Sequence, residues 1–80
     1  MKHPVFILGR LWRDGNGNTY HSTTVHFSDG TADIVPFRYG YRNHYLQTAA
    51  EMLGIEYTAA KAIPHQSVKV RRKRDLKDIT

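Results

Sequence analysis

Residues 35–54 read VPFRYGYRNHYLQTAAEMLG, a run that holds a strand end, an aromatic turn and a helix. Asn43 suits the position just before a helix, because its side-chain oxygen can accept from a backbone N–H two or three residues on. From there Tyr45, Leu46, Ala49, Ala50, Met52 and Leu53 recur at spacings near three and four and share one broad face. His44, Gln47, Thr48 and Glu51 fall largely on the other side. Gly54 supplies the left-handed conformation that commonly ends a helix. The spacing predicts a helix over about 43–53. Roughly three turns are too few to be stable alone, so this helix needs a platform.

The platform is legible upstream. Val5–Trp12 (VFILGRLW) is rich in strand formers, and Gly9 inside it marks a bulge or a close approach of another group. Asp14–Asn18 (DGNGN) is a dense turn signal, since Gly and Asn accept positive φ cheaply. Thr19–Phe27 (TYHSTTVHF) alternates. Thr19, His21, Thr23, Val25 and Phe27 share one face, which Val25 and Phe27 mark as the core side. Ser28–Gly30 is a second turn, and Thr31–Phe37 a third strand that Pro36 ends or confines to an edge. Two tight turns between three strands make an antiparallel meander.

Downstream, residues 55–63 read as a connector with one helical turn, ended by Pro64. Ser67–Arg74 (SVKVRRKR) reads as a last strand, with Val68 and Val70 on one side and Lys69, Arg71 and Lys73 on the other. Residues 75–80 are expected to fray. The expected fold class is therefore α+β: three antiparallel strands, one helix packed on the sheet, and a C-terminal return strand, β-β-β-α-β. The expected core is Ile7, Trp12, Val25, Phe27, Ile34, Phe37, Leu46, Ala49, Leu53 and Val70. The opposite sheet face is expected to be polar.

Eighty residues make one small domain with a limited core. The chain has no cysteine, so neither a disulfide nor a thiolate metal site can form; this suits a reducing cytoplasm. No apolar run is long enough to span a bilayer, and MKHPVFILGRLW is a poor signal peptide because Arg10 and Trp12 interrupt it. Net charge is +5, and residues 69–77 carry six of the twelve basic side chains. A basic excess so focused favours an anionic partner or a solvated tail.

Trp12-Arg13-Asp14, Gly17–Ser22 (GNTYHS), Pro36-Phe37 with Tyr39-Gly40-Tyr41, Gln47-Thr48-Ala49, and Arg72–Leu76 (RKRDL) form a series of short motifs across most of the chain. In these motifs the chain resembles a group of small accessory proteins of tailed bacteriophages and prophages. The resemblance implies an accessory role in the host cytoplasm. It transfers no catalytic residue.

The strongest chemical feature is the cluster Lys69, Arg71, Arg72, Lys73, Arg74 and Lys77. On a strand, alternate residues form a row about 7 Å apart, close to the phosphate spacing along a nucleic-acid strand. Each phosphate neutralised releases counterions. The same charges would also serve a solvated edge that blocks aggregation, or recognition of an acidic protein. In Phe37–Arg42 (FRYGYR), Arg38 and Arg42 alternate with Tyr39 and Tyr41, as a single-strand platform requires: rings stack on bases and guanidinium groups hold phosphates. A protein hot spot has the same composition. Phe37 and Tyr45 read as core.

His21 and His26, five apart on one strand, point to opposite faces, and no paired-ligand spacing links the remaining histidines. No metal or cofactor is expected. Asp14, Asp29 and Asp33 sit at or near turns, and no nucleophile–base–orienter arrangement emerges, so no enzyme is expected. The leading expectation is a non-enzymatic nucleic-acid-binding accessory protein. The alternative is a modulator or inhibitor that docks on an acidic host or antiphage-defence protein. The oligomeric state is left open, a dimer included, and no membrane is involved.

Overall fold

The structure is a computed structural model and describes residues 3–40 and 43–76. It is α+β, as expected: β1 (Pro4–Arg13), β2 (Thr19–Phe27), β3 (Ala32–Tyr39), α1 (His44–Leu53), α2 (Tyr57–Lys61) and β4 (His65–Lys69), followed by a 3₁₀ turn over Lys73–Leu76. The sheet order is β3-β2-β1-β4. β1, β2 and β3 form the antiparallel meander. β4 pairs with β1 in parallel, Ile7 opposite His65 through Leu11 opposite Lys69, so the sheet is mixed. The two helices carry the chain back across one sheet face, and a strand that returns by such a crossover arrives parallel.

Both hairpin turns are held by the aspartates that read as turn residues. Asp14 Oδ1 accepts from the backbone N–H groups of Asn16 and Asn18, each at 2.9 Å. Asp29 Oδ1 accepts from the Thr31 N–H at 3.0 Å and its hydroxyl at 2.6 Å. Pro36 lies on edge strand β3 at a register shift between the pairs His21–Arg38 and Thr23–Val35. A missing N–H is tolerated at an edge or a bulge.

α1 ends as expected. Gly54 takes φ 66°, its N–H bonds the Glu51 carbonyl, and the Ile55 N–H reaches back to Ala50 at 3.0 Å. This paired closure satisfies two carbonyls that the helix leaves open. Asn43 does stand at the start of α1 but makes no side-chain cap hydrogen bond. Its backbone carbonyl instead accepts from the Leu46 N–H at 2.9 Å.

The main core lies between sheet and helices: Ile7, Val25, Phe27, Tyr45, Leu46, Ala49, Ala50 and Ala60, with Met52, Leu53 and Ile63 packed against it. Gly9 is what lets α1 come so close. A Cβ there would come within 2.7 Å of three Tyr45 ring carbons, so the ring lies directly on the backbone of β1. On β2 His21, Thr23, Val25 and Phe27 are buried as the core-side reading requires, but Ser22 and Thr24 on the other face are buried as well, so both faces of this central strand are covered.

Four expected core residues, Trp12, Ile34, Phe37 and Val70, are not in that cluster. Trp12 lies opposite Tyr20 and Ile34 opposite Thr24, on the sheet face away from α1. Ile7 and Trp12 are an odd number of residues apart, which puts them on opposite faces of a strand. Phe37 joins Trp12 and Tyr20 because the irregularity at Pro36 shifts the alternation by one. Nor is this second face polar: Phe6, Leu8, Trp12, Tyr20, Ile34, Phe37 and Tyr39 fall on it.

The C-terminal region departs furthest from expectation. β4 covers 65–69 rather than 67–74. The Val70 N–H still bonds the Leu11 carbonyl at 2.8 Å, and the chain then bends away. It folds back over the second sheet face. Leu76 is fully buried there, outside the main core, Arg10 donates to the Asp75 carbonyl at 3.2 Å, and Lys73 reaches the Phe37 ring. Asp75 and Leu76 are therefore anchored rather than frayed, because β1 leaves apolar surface on this side with no helix to cover it. Residues 77–80 lie outside the described residues.

Candidate nucleic-acid interface

The basic residues do not form a straight row. Of the described members of the cluster, only Lys69 lies on a strand, opposite Leu11. Arg71 and Arg72 fall in the bend, and Lys73 and Arg74 open the 3₁₀ turn. The bend gathers some of them instead. Lys69, Val70, Arg71, Arg72 and Asp75, with Arg10 from β1, line an open cleft of about 350 Å³. The Arg10 guanidinium is held by the Asp75 carbonyl, and Arg72 Nε stands 3.9 Å from the Asp75 carboxylate. Among the described residues, four cations and one carboxylate thus line the cleft, an excess of positive charge.

From the cleft, Lys73 extends to the far strand. Its ammonium lies 4.8 Å from the centroid of the Phe37 ring, within range of a cation–π attraction. Phe37 belongs to a row of aromatic side chains that crosses three strands. Trp12 stacks on Tyr20 with centroids 5.8 Å apart, Tyr20 stacks on Phe37 at 4.7 Å, and Tyr39 meets Tyr20 edge-on at 5.5 Å. The row is covered at its centre and open at its β3 end: Phe37 is 38% exposed and Tyr39 60%. Arg74 is exposed and lines no part of the cleft.

Arg38 does not join this surface. It lies opposite His21, on the helix side of β3, and is ion-paired with Glu51 of α1. Alternation along β3 separates it from Tyr39. Tyr41, Arg42 and Lys77, the remaining expected contacts, lie outside the described residues.

Arg10, Trp12 and Tyr20 were missed as site residues, although their placement was in the sequence. A hairpin closed around Asp14–Asn18 sets Trp12 opposite Tyr20, and Arg10 is two residues from Trp12 and so on its face. Phe37 reads as core from the sequence because an apolar ring beside a helix usually belongs there, and the structure places it on the opposite face.

One fully buried polar ring lies on the helix side. His21 is fully buried. Its Nδ1–H donates to the Gly40 carbonyl at 3.2 Å, and its Nε2 accepts from the Thr48 hydroxyl at 2.7 Å. Burial lowers its pKa below the usual histidine value, the nearby His44 and Arg38 lower it further, and the bond to Gly40 opposes them. The neutral ring satisfies both partners, which makes it a tie between sheet and helix. His26 sits on the opposite face beside Phe6, as the odd spacing requires.

Among the described residues, no three His, Asp or Glu side chains come close enough to hold a metal ion, and no helix is long and apolar enough to cross a membrane. Set against protein-family models, curated proteins and solved structures, the chain matches none of them.

Proposed function

We propose that this chain is a non-enzymatic nucleic-acid-binding protein, an accessory protein of the phage type its motifs resemble, acting in the host cytoplasm. The observation that carries the reading is the cleft that Arg10, Lys69, Arg71 and Arg72 line with one carboxylate among the described residues. Phosphates are the ligands such a site suits, because each cation they engage releases condensed counterions. A mobility-shift titration at several salt concentrations tests it. Affinity should fall steeply with salt, and Arg71→Ala and Arg72→Ala should each reduce the log–log slope by roughly 0.7 to 0.9. Absence of any shift at low salt with micromolar protein would remove the proposal.

A second reading has its own support. Among the described residues the outer edge of β4 has no strand beside it in the sheet order, and of its five residues only Val68 is even partly buried. An extended segment of a partner protein can add to such an edge through backbone hydrogen bonds. On this reading the chain is a modulator of an acidic host or defence protein. Retention of one specific partner from host lysate after nuclease treatment, with no nucleic-acid shift, would favour it over the first.

A further inference from the structure

We infer that the ligand of the second sheet face is a single-stranded nucleic acid, held by base stacking at the open end of the aromatic row and by phosphate contacts in the cation cleft. This rests on the nucleic-acid reading above and narrows it to one class of ligand.

The argument begins with the row itself. Trp12, Tyr20 and Phe37 stack in sequence across β1, β2 and β3, and Tyr39 stands against Tyr20. Rings placed only to fill a core would be covered. Here the two β3 members remain open, Tyr39 more than half exposed, on a chain short of apolar burial. Exposed rings beside cations match the needs of a base-and-phosphate chain: every base has a π-face, and stacking on it is sequence-tolerant.

The charges are placed to continue the same contact. Arg10 shares the face of Trp12, and Arg71 and Arg72 lead directly into Lys73, whose ammonium already sits over Phe37. In the free protein Lys73 occupies ring surface that a base can use. On binding it exchanges the ring for a phosphate, so the cation and the ring are both satisfied by one nucleotide unit. The distance fits as well. From β3 to β4 is three strand spacings, about 14 Å, a span that a single strand at ~3.4 Å or more per nucleotide crosses in no more than about four units.

A duplex cannot use the row. Its base faces are closed inside its own stack, so it can offer the cleft only phosphates. The structure therefore separates the two ligands: the cleft serves either, and the aromatic row serves single strands alone.

The test uses the whole chain and fluorescently labelled 12-mers of mixed sequence, as single-stranded DNA, single-stranded RNA and the matching DNA duplex, at one moderate salt concentration. Anisotropy should show at least one of the single strands bound about tenfold or more tighter than the duplex. Tyr39→Ala, at an exposed position, should weaken single-strand binding by roughly 5- to 150-fold and leave duplex binding and the salt slope unchanged, while Tyr39→Phe retains the wild-type preference. Trp12 is the sole tryptophan of the chain, so single strands, unlike the duplex, should also quench its emission. Equal binding of duplex and single strands, with Tyr39→Ala neutral, would overturn the inference and leave the broader proposal standing. A single-strand preference unaffected by Tyr39→Ala and without quenching would overturn the placement on the row. No binding of any of the three at low salt would overturn both.

Discussion

The two faces of the sheet are built from the same strands and finished to different degrees. On the helix side, the buried polar groups named so far are matched. Thr23 donates to the Tyr45 carbonyl at 3.1 Å, and both nitrogens of His21 have partners. On the other side, Ser22 and Thr24 are as deeply buried, yet their hydroxyls have no hydrogen-bond partner among the described residues, and the cover includes one 3₁₀ turn anchored by Leu76. A buried, unsatisfied hydroxyl costs about 1–3 kcal/mol. The helix face is thus the better satisfied of the two, and the second face carries two buried hydroxyls at a cost in stability.

The largest expected effect is on the finished face. Leu46→Ala removes a fully buried side chain from the main core and should cost about 2–5 kcal/mol. In a domain of this size each kcal/mol lowers the thermal midpoint by roughly 4–8 °C, so calorimetry should show a drop of about 10 °C or more. An unchanged midpoint would mean that the helix face is not the stabilising one.

Gly9→Ala should come next. The added methyl meets the Tyr45 ring, and overpacking of this kind costs about 1–3 kcal/mol. If Gly9→Ala is neutral in denaturant titration, α1 does not rest on β1 as closely as described.

A pair of substitutions one residue apart contrasts the faces directly. Thr23→Val deletes the hydroxyl that bonds Tyr45 and should cost about 1 kcal/mol. Thr24→Val deletes a hydroxyl with no partner among the described residues and should be neutral or stabilising by up to about 1 kcal/mol. Loss of stability in both variants would show that the second face is as well satisfied as the first.

The gentlest test is pH. Because the folded-state pKa of His21 is lowered, the unfolded chain takes up the proton more readily. The contribution of His21 is present in full above about pH 6.5 and is lost as pH falls from there through the folded value. Midpoints measured at pH 7.5, 6.5 and 5.5 should decline with acid, and less steeply in His21→Gln. Equal slopes in the two proteins would remove His21 from the account.

Much of the helix side was readable in the sequence. The spacing of Tyr45, Leu46, Ala49, Ala50 and Leu53 and the stop at Gly54 need only local geometry, and all five side chains are buried or packed on the main core. The site was less legible. Tyr39 was expected to be a contact and is exposed beside the row. Arg38, its neighbour, was expected to act with it and faces α1 instead. The alternation Val68, Lys69, Val70, Arg71 reads as strand as far as the arginines, but a strand lasts only while a neighbour pairs with it. The β1–β4 pairing ends with Lys69 opposite Leu11.

What the sequence alone determined is what depends on residues close together: three strands, two Asp- and Gly-rich turns, one helix closed by Gly54, and the concentration of charge in 69–77. What only the tertiary structure decided is what depends on partners far apart. These are the parallel pairing of β4 with β1, the shift at Pro36 that turns Phe37 outward, and the return of 70–76 over the second face. The physical reason is range. Helix period, turn chemistry and capping act over a few residues, whereas the register of a crossover strand and the cover of a sheet face are set by surface that exists only once the sheet has formed.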